Sequence, residues 1–370
     1  MTSKTEHDKM FRHANAVTSG SNPSGRSSGA SLSTNMIEQT PDEATDDWIA
    51  TATNEQSSET VRGYRTIVNL WTDFCDEQGI EVMSEVTGAD LMAFKRSLMS
   101  DDIATTTVGQ YLSVLRSFIQ HCEQVEYVRD GLAEKAPDAS APDGTRDEKI
   151  DTGTAEAILD YCEQFQYASR QHVEFAICWE TAMRAGAMRS IDISDCYLDD
   201  DAPQIELVHR PDTDTPLKNQ EESERRVNIS REVAAVIRDY IDRRRLQPES
   251  VEDGRKPLLT TRAGRVTYNT ILRDFRGLTR PCVYENECPD DRDPEECPAT
   301  GGKRNANECP DSVSCHPVRR GSITHRHLDH DIHTETISGR CDLSEEVMSR
   351  HYDRQDEETK AQIRRENLDL

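Results

Sequence analysis

A helical repeat of apolar residues dominates the N-terminal part of the chain. Between Ser57 and Gly79, apolar side chains recur at steps of three and four residues, which is the period of an amphipathic helix. The segments 87–100 and 104–125 repeat this pattern. Three such segments in succession predict a small all-helical bundle over residues 46–130. The first apolar stripe consists of Val61, Tyr64, Val68, Trp71 and Cys75.

The rest of the chain mixes helical and alternating patterns. A segment rich in Ala, Pro, Asp and Gly at 131–150 is typical of a linker, and three short stretches of alternating polarity after it predict strands. We therefore predict a second, α+β domain at 151–370 and a fold class that is mainly α with a small antiparallel β-sheet. The predicted helices cover 153–165, 168–186, 231–245 and 267–279, and the predicted strands cover 190–198, 203–210 and 225–230.

The charge balance leaves two interpretations open. The chain carries 70 Asp and Glu against 44 Lys and Arg, a formal net charge of −26, and only nine of the basic residues are Lys. Such acidity with few aromatic residues is common in disordered chains, but the helical periodicity argues against disorder here. The alternative is an acidic, Lys-poor surface suited to molar salt, where charge repulsion is screened. We therefore predict a halophilic source.

The N-terminal residues 1–45 are predicted to be a disordered tail, because residues 18–35 are mostly Ser, Gly and other small or polar types. The first residues lack the apolar core of a secretory signal, and no apolar run approaches the ~20 residues that span a bilayer. These features predict a cytoplasmic protein without membrane segments.

Five histidines fall within the stretch SCHPVRRGSITHRHLDHDIH. Three of them, His327, His330 and His333, are spaced three residues apart, a spacing that is compatible with a metal site on one face of a helix. The H-E-x-x-H spacing of helical zinc sites is absent, so a solvated polar face is the favoured interpretation of these three. The pair of His316 and Arg319 in the same stretch has a different context.

The segment HPVRRGSITHRH resembles the H-x-x-R box of the tyrosine recombinase (phage integrase) family, with His316 and Arg319 at the matching positions. Upstream, ETAMRAGAMRS resembles the first arginine box of that family, and Arg184 is the matching residue. The loop PDTDTPLKNQEESE holds Lys218 where the family places its lysine, just before a strand, RRVNIS, that is similar to the family's. H-x-x-R alone is a weak signal, but several parts in order are a strong one.

The last family box is matched by SGRCDLSEEVMSRHYDR near the end of the chain. There, Gly339 and Arg340 stand where the family commonly has Gly-His, and Tyr352 falls at the position of the nucleophile. Two features depart from the family pattern: Ala187 stands where a Glu is frequent, and Arg340 lies twelve residues before Tyr352, slightly farther than expected.

The resemblance covers residues from about 46 to 365. It implies a SAM-like, DNA-binding core-binding domain at 46–130 and a catalytic domain at 151–370. It also implies a site-specific recombinase or integrase of a mobile element, which forms a 3′-phosphotyrosine without ATP or a catalytic metal. The implied partners are double-stranded DNA and further copies of the chain, as a homotetramer on two DNA sites.

The residue types themselves suit metal-free cleavage of a phosphodiester. Arg184 and Arg319 can each present two donors to phosphate oxygens, which Lys cannot do. Lys218 can protonate the 5′ oxygen as it leaves, and His316 can handle the proton of Tyr352. A type IB topoisomerase would use the same residues, and a DNA-binding accessory protein that no longer cuts would retain some of them. A metalloenzyme built on the histidines is the third alternative.

Five of the eleven cysteines fall in an insertion at 281–315 that has too few apolar residues to fold alone. A structural zinc ion held by four of them would let the insertion fold. The C-x₂-C spacing of common zinc motifs is absent, so the choice of four stays open, and a reduced or oxidisable loop is the alternative. The five are Cys282, Cys288, Cys297, Cys309 and Cys315.

The acidity conflicts with DNA binding at first sight, because contacts with phosphates normally supply much of the affinity. The basic residues are nevertheless concentrated locally, in DRRRL, LRDFRGLTR and HPVRRG. We therefore predict a DNA-facing surface lined by Arg and an acidic outer surface.

Overall fold

The computed structural model describes residues 36–56, 58–100, 103–137, 148–248, 254–302, 305–326 and 334–344. The chain divides into two compact units, one ending at Pro142 and the other beginning at Asp143. The linker predicted at 131–150 falls partly outside the described residues. Among the helices that the structure describes, none is long and apolar enough to cross a membrane.

The first unit is a helical bundle, as the apolar period predicts, and the three predicted helices are confirmed. An additional helix, α1, precedes them and begins with a capping box; because it starts at Pro41, the disordered tail predicted at 1–45 was wrong for residues 41–45. The Thr40 hydroxyl accepts from the Glu43 N–H at 3.2 Å, and the Glu43 carboxylate accepts from the Thr40 N–H at 3.1 Å. Four of the six buried residues of α1 are Pro, Ala or Thr, which explains its weak apolar signal. The helices are α1 Pro41–Glu55, α2 Ser58–Gln78, α3 Gly88–Ser100 and α4 Thr105–Gln124.

The second unit contains a three-stranded antiparallel sheet, which confirms the predicted fold class. Ile205 of the central strand pairs with Cys196 on one side and with Val227 on the other. Ile205 and Val227 are buried against the helices of this unit. The strands are β1 Cys196–Tyr197, β2 Gln204–Leu207 and β3 Arg225–Asn228, and a separate hairpin pairs β4 Thr260–Thr261 with β5 Gly264–Arg265.

Helices precede and follow this sheet along the chain, and several begin at a polar cap. The side chains of Asp151, Ser169, Ser230 and Thr267 each accept from the backbone N–H three residues on. A π-helical turn, Tyr240–Arg244, extends α8. The helices are α5 Thr152–Phe165, α6 Arg170–Thr181, α7 Ala185–Ser190, α8 Arg231–Asp239, α9 Tyr268–Leu278, α10 Pro281–Tyr284, α11 Cys315–Thr324 and α12 Thr334–Cys341.

Two predicted elements were wrong in extent, and the β4–β5 hairpin was not predicted. The helix predicted at 168–186 is interrupted at Ala182, whose φ of 52° is left-handed and ends α6. The strand predicted at 190–198 is reduced to β1, because Asp192 and Asp195 cap a 3₁₀ turn at its start. At Ala182 and at the 3₁₀ turn, the local backbone conformation interrupts an element that the side-chain pattern predicts to be continuous.

Helix α11 packs closely on α6, and Gly321 permits this contact. A Cβ atom at Gly321 would overlap the carbonyl oxygen of Ile150 and would lie 3.2 Å from the Trp179 ring. The Ile150 N–H donates to the carbonyl oxygen of Pro317 at 3.4 Å, so the chain preceding α5 is also bound to α11. These contacts fix the position of the helix that carries Arg319.

Candidate functional site

Arg184 lies in the short turn that separates α6 from α7. The left-handed Ala182 turns the chain, so that Arg184 occupies the N-cap position of α7 with an extended backbone. Its guanidinium forms an ion pair with the carboxylate of Asp342 and donates to the Asp342 carbonyl oxygen at 2.6 Å. Arg184 therefore reaches the residue that follows α12.

Arg319 reaches the same end of α12 from a different helix. Its side chain is buried, and it donates to the carbonyl oxygen of Cys341 at 2.7 Å and to that of Ala182. Arg225, the first residue of β3, donates to the carbonyl oxygen of Arg340 at 2.9 Å. The carbonyls of three consecutive residues thus each accept from an arginine. Cations are favoured at a helix C-terminus because the helix dipole places negative charge there.

Asp342 joins these arginines to the loop between β2 and β3. Its carboxylate accepts from the Ser223 hydroxyl at 2.8 Å and from the Asn219 amide at 3.0 Å, in addition to Arg184. Burial would raise the pKa of Asp342, but the Ser223 hydrogen bond and the charges of Arg184 and Arg225 outweigh it and lower the pKa. The carboxylate is therefore held in its charged form.

Lys218 lies on this loop and is exposed. On one side, the buried Leu217 donates its N–H to the His209 ring at 2.9 Å. On the other side is Asn219, which contacts Asp342. The structure therefore places the backbone of Lys218 beside the arginine cluster.

His316 is exposed and is the second residue of α11, one helical turn before Arg319. Arg340 is on α12, and its guanidinium donates to the carbonyl oxygens of Asn228 at 2.7 Å and Glu180 at 3.2 Å. Arg340 therefore connects α12 to β3 and α6 through backbone groups. Tyr352 lies outside the described residues, so its assignment as nucleophile stays a prediction.

The other histidines of this stretch divide into two groups. His325, just after α11, stacks on Trp179 with ring centroids 5.6 Å apart, and its Nδ1 lies 3.1 Å from the Thr152 hydroxyl. It is accordingly a packing residue in this structure. His327, His330 and His333 lie outside the described residues.

Sequence reasoning did not identify Asp342 or two further arginines, Arg225 and Arg326. Burial lowers the pKa of both arginines, and the charge of nearby Arg340 adds to this in each case. Arg225 had a usable signal, since it opens the strand directly after the Lys218 loop. Asp342 had none, because one more acidic residue is not distinctive in so acidic a chain.

The predicted metal ligands fall into two places. Cys282, Cys288, Cys297 and Cys309 line one cavity in the insertion. Cys315 is instead buried at the start of α11, where its carbonyl oxygen lies 3.7 Å from the Cys178 sulfur. Burial raises the pKa of the Cys315 thiol to about 11.

Comparison with known proteins supports this architecture. Residues 48–124 match the family model described as the N-terminal SAM-like domain of phage integrase. The chain is similar to tyrosine recombinase XerC of Oceanobacillus iheyensis, with 32% identity over 69 residues, which cover 19% of this chain and 23% of that protein. The match thus spans less than a quarter of the length of this relative.

Two solved structures share the fold over most of the chain. The Tn1549 transposon integrase, solved with transposon right end DNA, aligns with a TM-score of 0.62 and 14% identity over 90% of this chain and all of the other. A lambda integrase dimer bound to a COC′ core site aligns with a TM-score of 0.57 and 11% identity, over 86% of this chain and 78% of the other. At these identities the likeness establishes the fold.

Proposed function

We propose that the chain is a tyrosine recombinase, which cuts and rejoins double-stranded DNA at specific sites through a covalent link between Tyr352 and a DNA phosphate. One observation carries the proposal: Arg184, at the start of α7, and Arg319, on α11, donate to the carbonyl oxygens of two consecutive residues at the C-terminal end of α12, Asp342 and Cys341. A transferring phosphate needs such a preorganised set of donors, because negative charge develops on its oxygens in the transition state.

Asp342 supports the assignment of Arg184 as a phosphate ligand. A carboxylate and a phosphate both offer paired oxygens to a guanidinium, and Arg184 already holds one such group. In the proposed complex the scissile phosphate competes with Asp342 for Arg184. Arg319 adds its charge from the buried side, where a low local dielectric strengthens its effect.

The chemical step assigns one role to each remaining residue. The Tyr352 oxygen attacks phosphorus, so that a phosphotyrosine bond forms and the bond from phosphorus to the 5′ oxygen breaks. His316 accepts the tyrosine proton, and Lys218 donates a proton to the leaving 5′ oxygen. The 5′-hydroxyl of a partner strand reverses these steps, and because the phosphotyrosine conserves the bond energy, neither ATP nor a catalytic metal takes part.

The wider assembly follows from the family resemblance and from the composition. The proposed working unit is a homotetramer that holds two DNA sites, encoded by a mobile element in a halophilic organism and active in the cytoplasm. The strongly acidic sequence supports the halophilic part of this proposal, because its self-repulsion is screened in concentrated salt. Integration, excision and dimer resolution are all compatible with this chemistry.

The test is covalent trapping at high KCl with a chelator present. Nicked duplexes drawn from the DNA that flanks the gene would be incubated with the wild-type protein, with Tyr352→Phe and with Tyr268→Phe. Tyr268 is an exposed tyrosine on α9 and serves as the matched control. We expect an SDS-resistant adduct with the wild type and with Tyr268→Phe but not with Tyr352→Phe.

The other outcomes identify the rival functions. A footprint on the DNA without any adduct would indicate a non-cutting DNA-binding protein. An adduct that relaxes supercoiled DNA but never joins two duplexes would indicate a type IB topoisomerase. An adduct formed by Tyr352→Phe would reject the assigned nucleophile.

A further inference from the structure

The cysteine-rich insertion is a surface segment that both begins and ends at α9. At its base, the Thr279 hydroxyl donates to the carbonyl oxygen of Val313 at 2.9 Å and accepts from the Val313 N–H at 2.9 Å. Between these points, residues 285–311 contain nine Asp or Glu against three Lys or Arg. Among the described residues of this range, Ala299 and Ala306 are the buried ones. Burial of apolar surface is therefore too small to stabilise the segment.

Three tight turns of the same kind organise the segment. Each starts at a cysteine followed by proline, and in each the cysteine carbonyl oxygen accepts from the N–H three residues on. The distances are 3.0 Å from Asp291 to Cys288, 3.0 Å from Thr300 to Cys297 and 3.3 Å from Ser312 to Cys309. Proline favours this turn because its ring fixes the backbone angle at the second position.

All three turns present their cysteines to one cavity, and Cys282 at the start of α10 completes the lining. The cavity measures about 20 Å³, enough for one atom the size of a water molecule. Arg280 and Arg292 also line it. Their positive charges would offset the excess negative charge of four thiolates around a divalent ion.

We propose that Cys282, Cys288, Cys297 and Cys309 bind one structural zinc ion and that Cys315 is not a ligand. Four thiolates around one small cavity suit the tetrahedral preference of zinc and its affinity for sulfur. Among the residues that the structure describes, no three His, Cys, Asp or Glu side chains are already grouped as metal ligands. Binding therefore draws the four sulfurs inward, to about 2.3 Å from the ion.

The role of the ion is to order the segment that leads into α11. Ser312 closes the third turn, and α11, which carries His316 and Arg319, begins at Cys315. Because the Thr279–Val313 hydrogen bonds hold the base independently of the insertion, removal of zinc loosens residues 285–311 and leaves the rest of the second unit folded.

The test measures metal content in the full chain, purified under reducing conditions and reconstituted with zinc. Elemental analysis should find one zinc ion per chain in the wild type, in Cys315→Ser and in Cys196→Ser. Cys196 is a half-buried thiol in β1 and serves as the matched control. Cys288→Ser and Cys297→Ser should lose the ion. Cobalt substitution should give a thiolate-to-metal charge-transfer band in the same variants that retain zinc.

A second measurement separates loss of ligands from misfolding. In the folded wild-type protein, a chelator should make four additional thiols reactive to alkylation, which mass spectrometry assigns to Cys282, Cys288, Cys297 and Cys309. Zinc that is absent from the wild type, or retained in Cys288→Ser and Cys297→Ser, would overturn the proposal. Disulfides among these four cysteines in the reduced preparation would also overturn it. None of these readouts depends on DNA cleavage, so the result is separable from the proposed function.

Discussion

Two arginine-rich clusters in the second unit differ in their balance of positive and negative charge. The first, the Asp192 cluster, surrounds two carboxylates beside the β-sheet. The second, the α12 cluster, surrounds one carboxylate at the end of α12. The Asp192 cluster consists of Asp192, Asp195, Arg210, Arg255 and Arg265, and the α12 cluster consists of Arg184, Arg225, Arg319, Arg340 and Asp342.

The Asp192 cluster is close to electrically balanced. Asp192 lies 2.6 Å from both Arg255 and Arg265, and Asp195 lies 2.7 Å from Arg210. Both carboxylates are buried. Three guanidiniums against two carboxylates leave a formal charge of +1. In such a network each buried carboxylate has a partner at hydrogen-bond distance, so the loss of one partner leaves a buried charge uncompensated and destabilises the fold.

The α12 cluster keeps a larger excess of positive charge. Four guanidiniums against one carboxylate leave a formal charge of +3, and backbone carbonyls accept many of their hydrogen bonds. Carbonyl dipoles orient the arginines without neutralising them. The difference is consistent with the proposed function, in which the Asp192 cluster is structural and the α12 cluster receives the DNA phosphate.

The largest expected effect is a loss of DNA cleavage when an arginine of the α12 cluster is removed. Arg184→Ala should lower the rate of covalent adduct formation by about 10³-fold, because one donor to the developing phosphate charge is lost. Arg255→Ala, the matched control in the Asp192 cluster, should lower stability and leave the rate per folded molecule near that of the wild type. Single-turnover trapping at high KCl measures both. Equal losses of rate in the two variants would remove the distinction between the clusters.

The next largest expected effect is a loss of stability when a carboxylate of the Asp192 cluster is removed. Asp192→Asn should lower the free energy of unfolding by about 3 kcal/mol, because it leaves the half-buried guanidiniums of Arg255 and Arg265 without their charge partner. Asp199→Asn is the control, since Asp199 pairs with Arg238 at an exposed position and should matter far less. Denaturant unfolding at constant KCl measures both. A loss for Asp192→Asn no larger than that for Asp199→Asn would contradict the structural role.

Helix packing beneath the α12 cluster gives an intermediate effect. Gly321→Ala should cost about 2 kcal/mol of stability and should also slow adduct formation, because the added methyl forces α11 and Arg319 away from Ile150 and α6. Gly186→Ala on α7 is the control, since a Cβ atom there meets nothing within 4 Å. Thermal unfolding and trapping of both variants test this. Unchanged stability in Gly321→Ala would show that the contact is not tight.

The residues of the candidate site that lie in contiguous motifs could be named from the sequence. Arg184, His316 and Arg319 each stand within a short recognisable segment, and the helical bundle follows from its apolar period. The partner of Arg184 could not be predicted in this way. Asp342 is 158 residues away, and nothing in its local sequence distinguishes it from other acidic residues.

The interruption at Ala182 was missed for a related reason. Glycine is the usual signal for a left-handed residue at the end of a helix, and alanine has no such preference. The conformation is instead supported by tertiary contacts, since the Ala182 carbonyl oxygen accepts from Arg319 and the side chain is fully buried. Local propensity therefore predicts a continuous helix where packing of distant residues imposes a turn.

The smallest expected effect concerns Asp342, the single carboxylate of the α12 cluster, whose contribution to stability should depend on pH. Because the folded state lowers the pKa of Asp342, the charged carboxylate stabilises the fold above its unfolded pKa of about 4, and this contribution is lost as pH falls through the folded pKa. Asp342→Asn should therefore be less stable than the wild type by about 1 kcal/mol near neutral pH, a value kept small by solvent and salt screening.

The difference in stability between wild type and Asp342→Asn should shrink as the pH is lowered below about 4, and denaturant unfolding across this range measures it.

The same substitution removes the only negative charge among the five α12-cluster residues. Inorganic phosphate should therefore bind about fivefold more tightly and inhibit trapping at lower concentration. Asp214→Asn, at an exposed ion pair with Arg189, should change neither property appreciably. A stability difference that grows in acid, or weaker phosphate binding, would mean that Asp342 does not compete with an anion for Arg184.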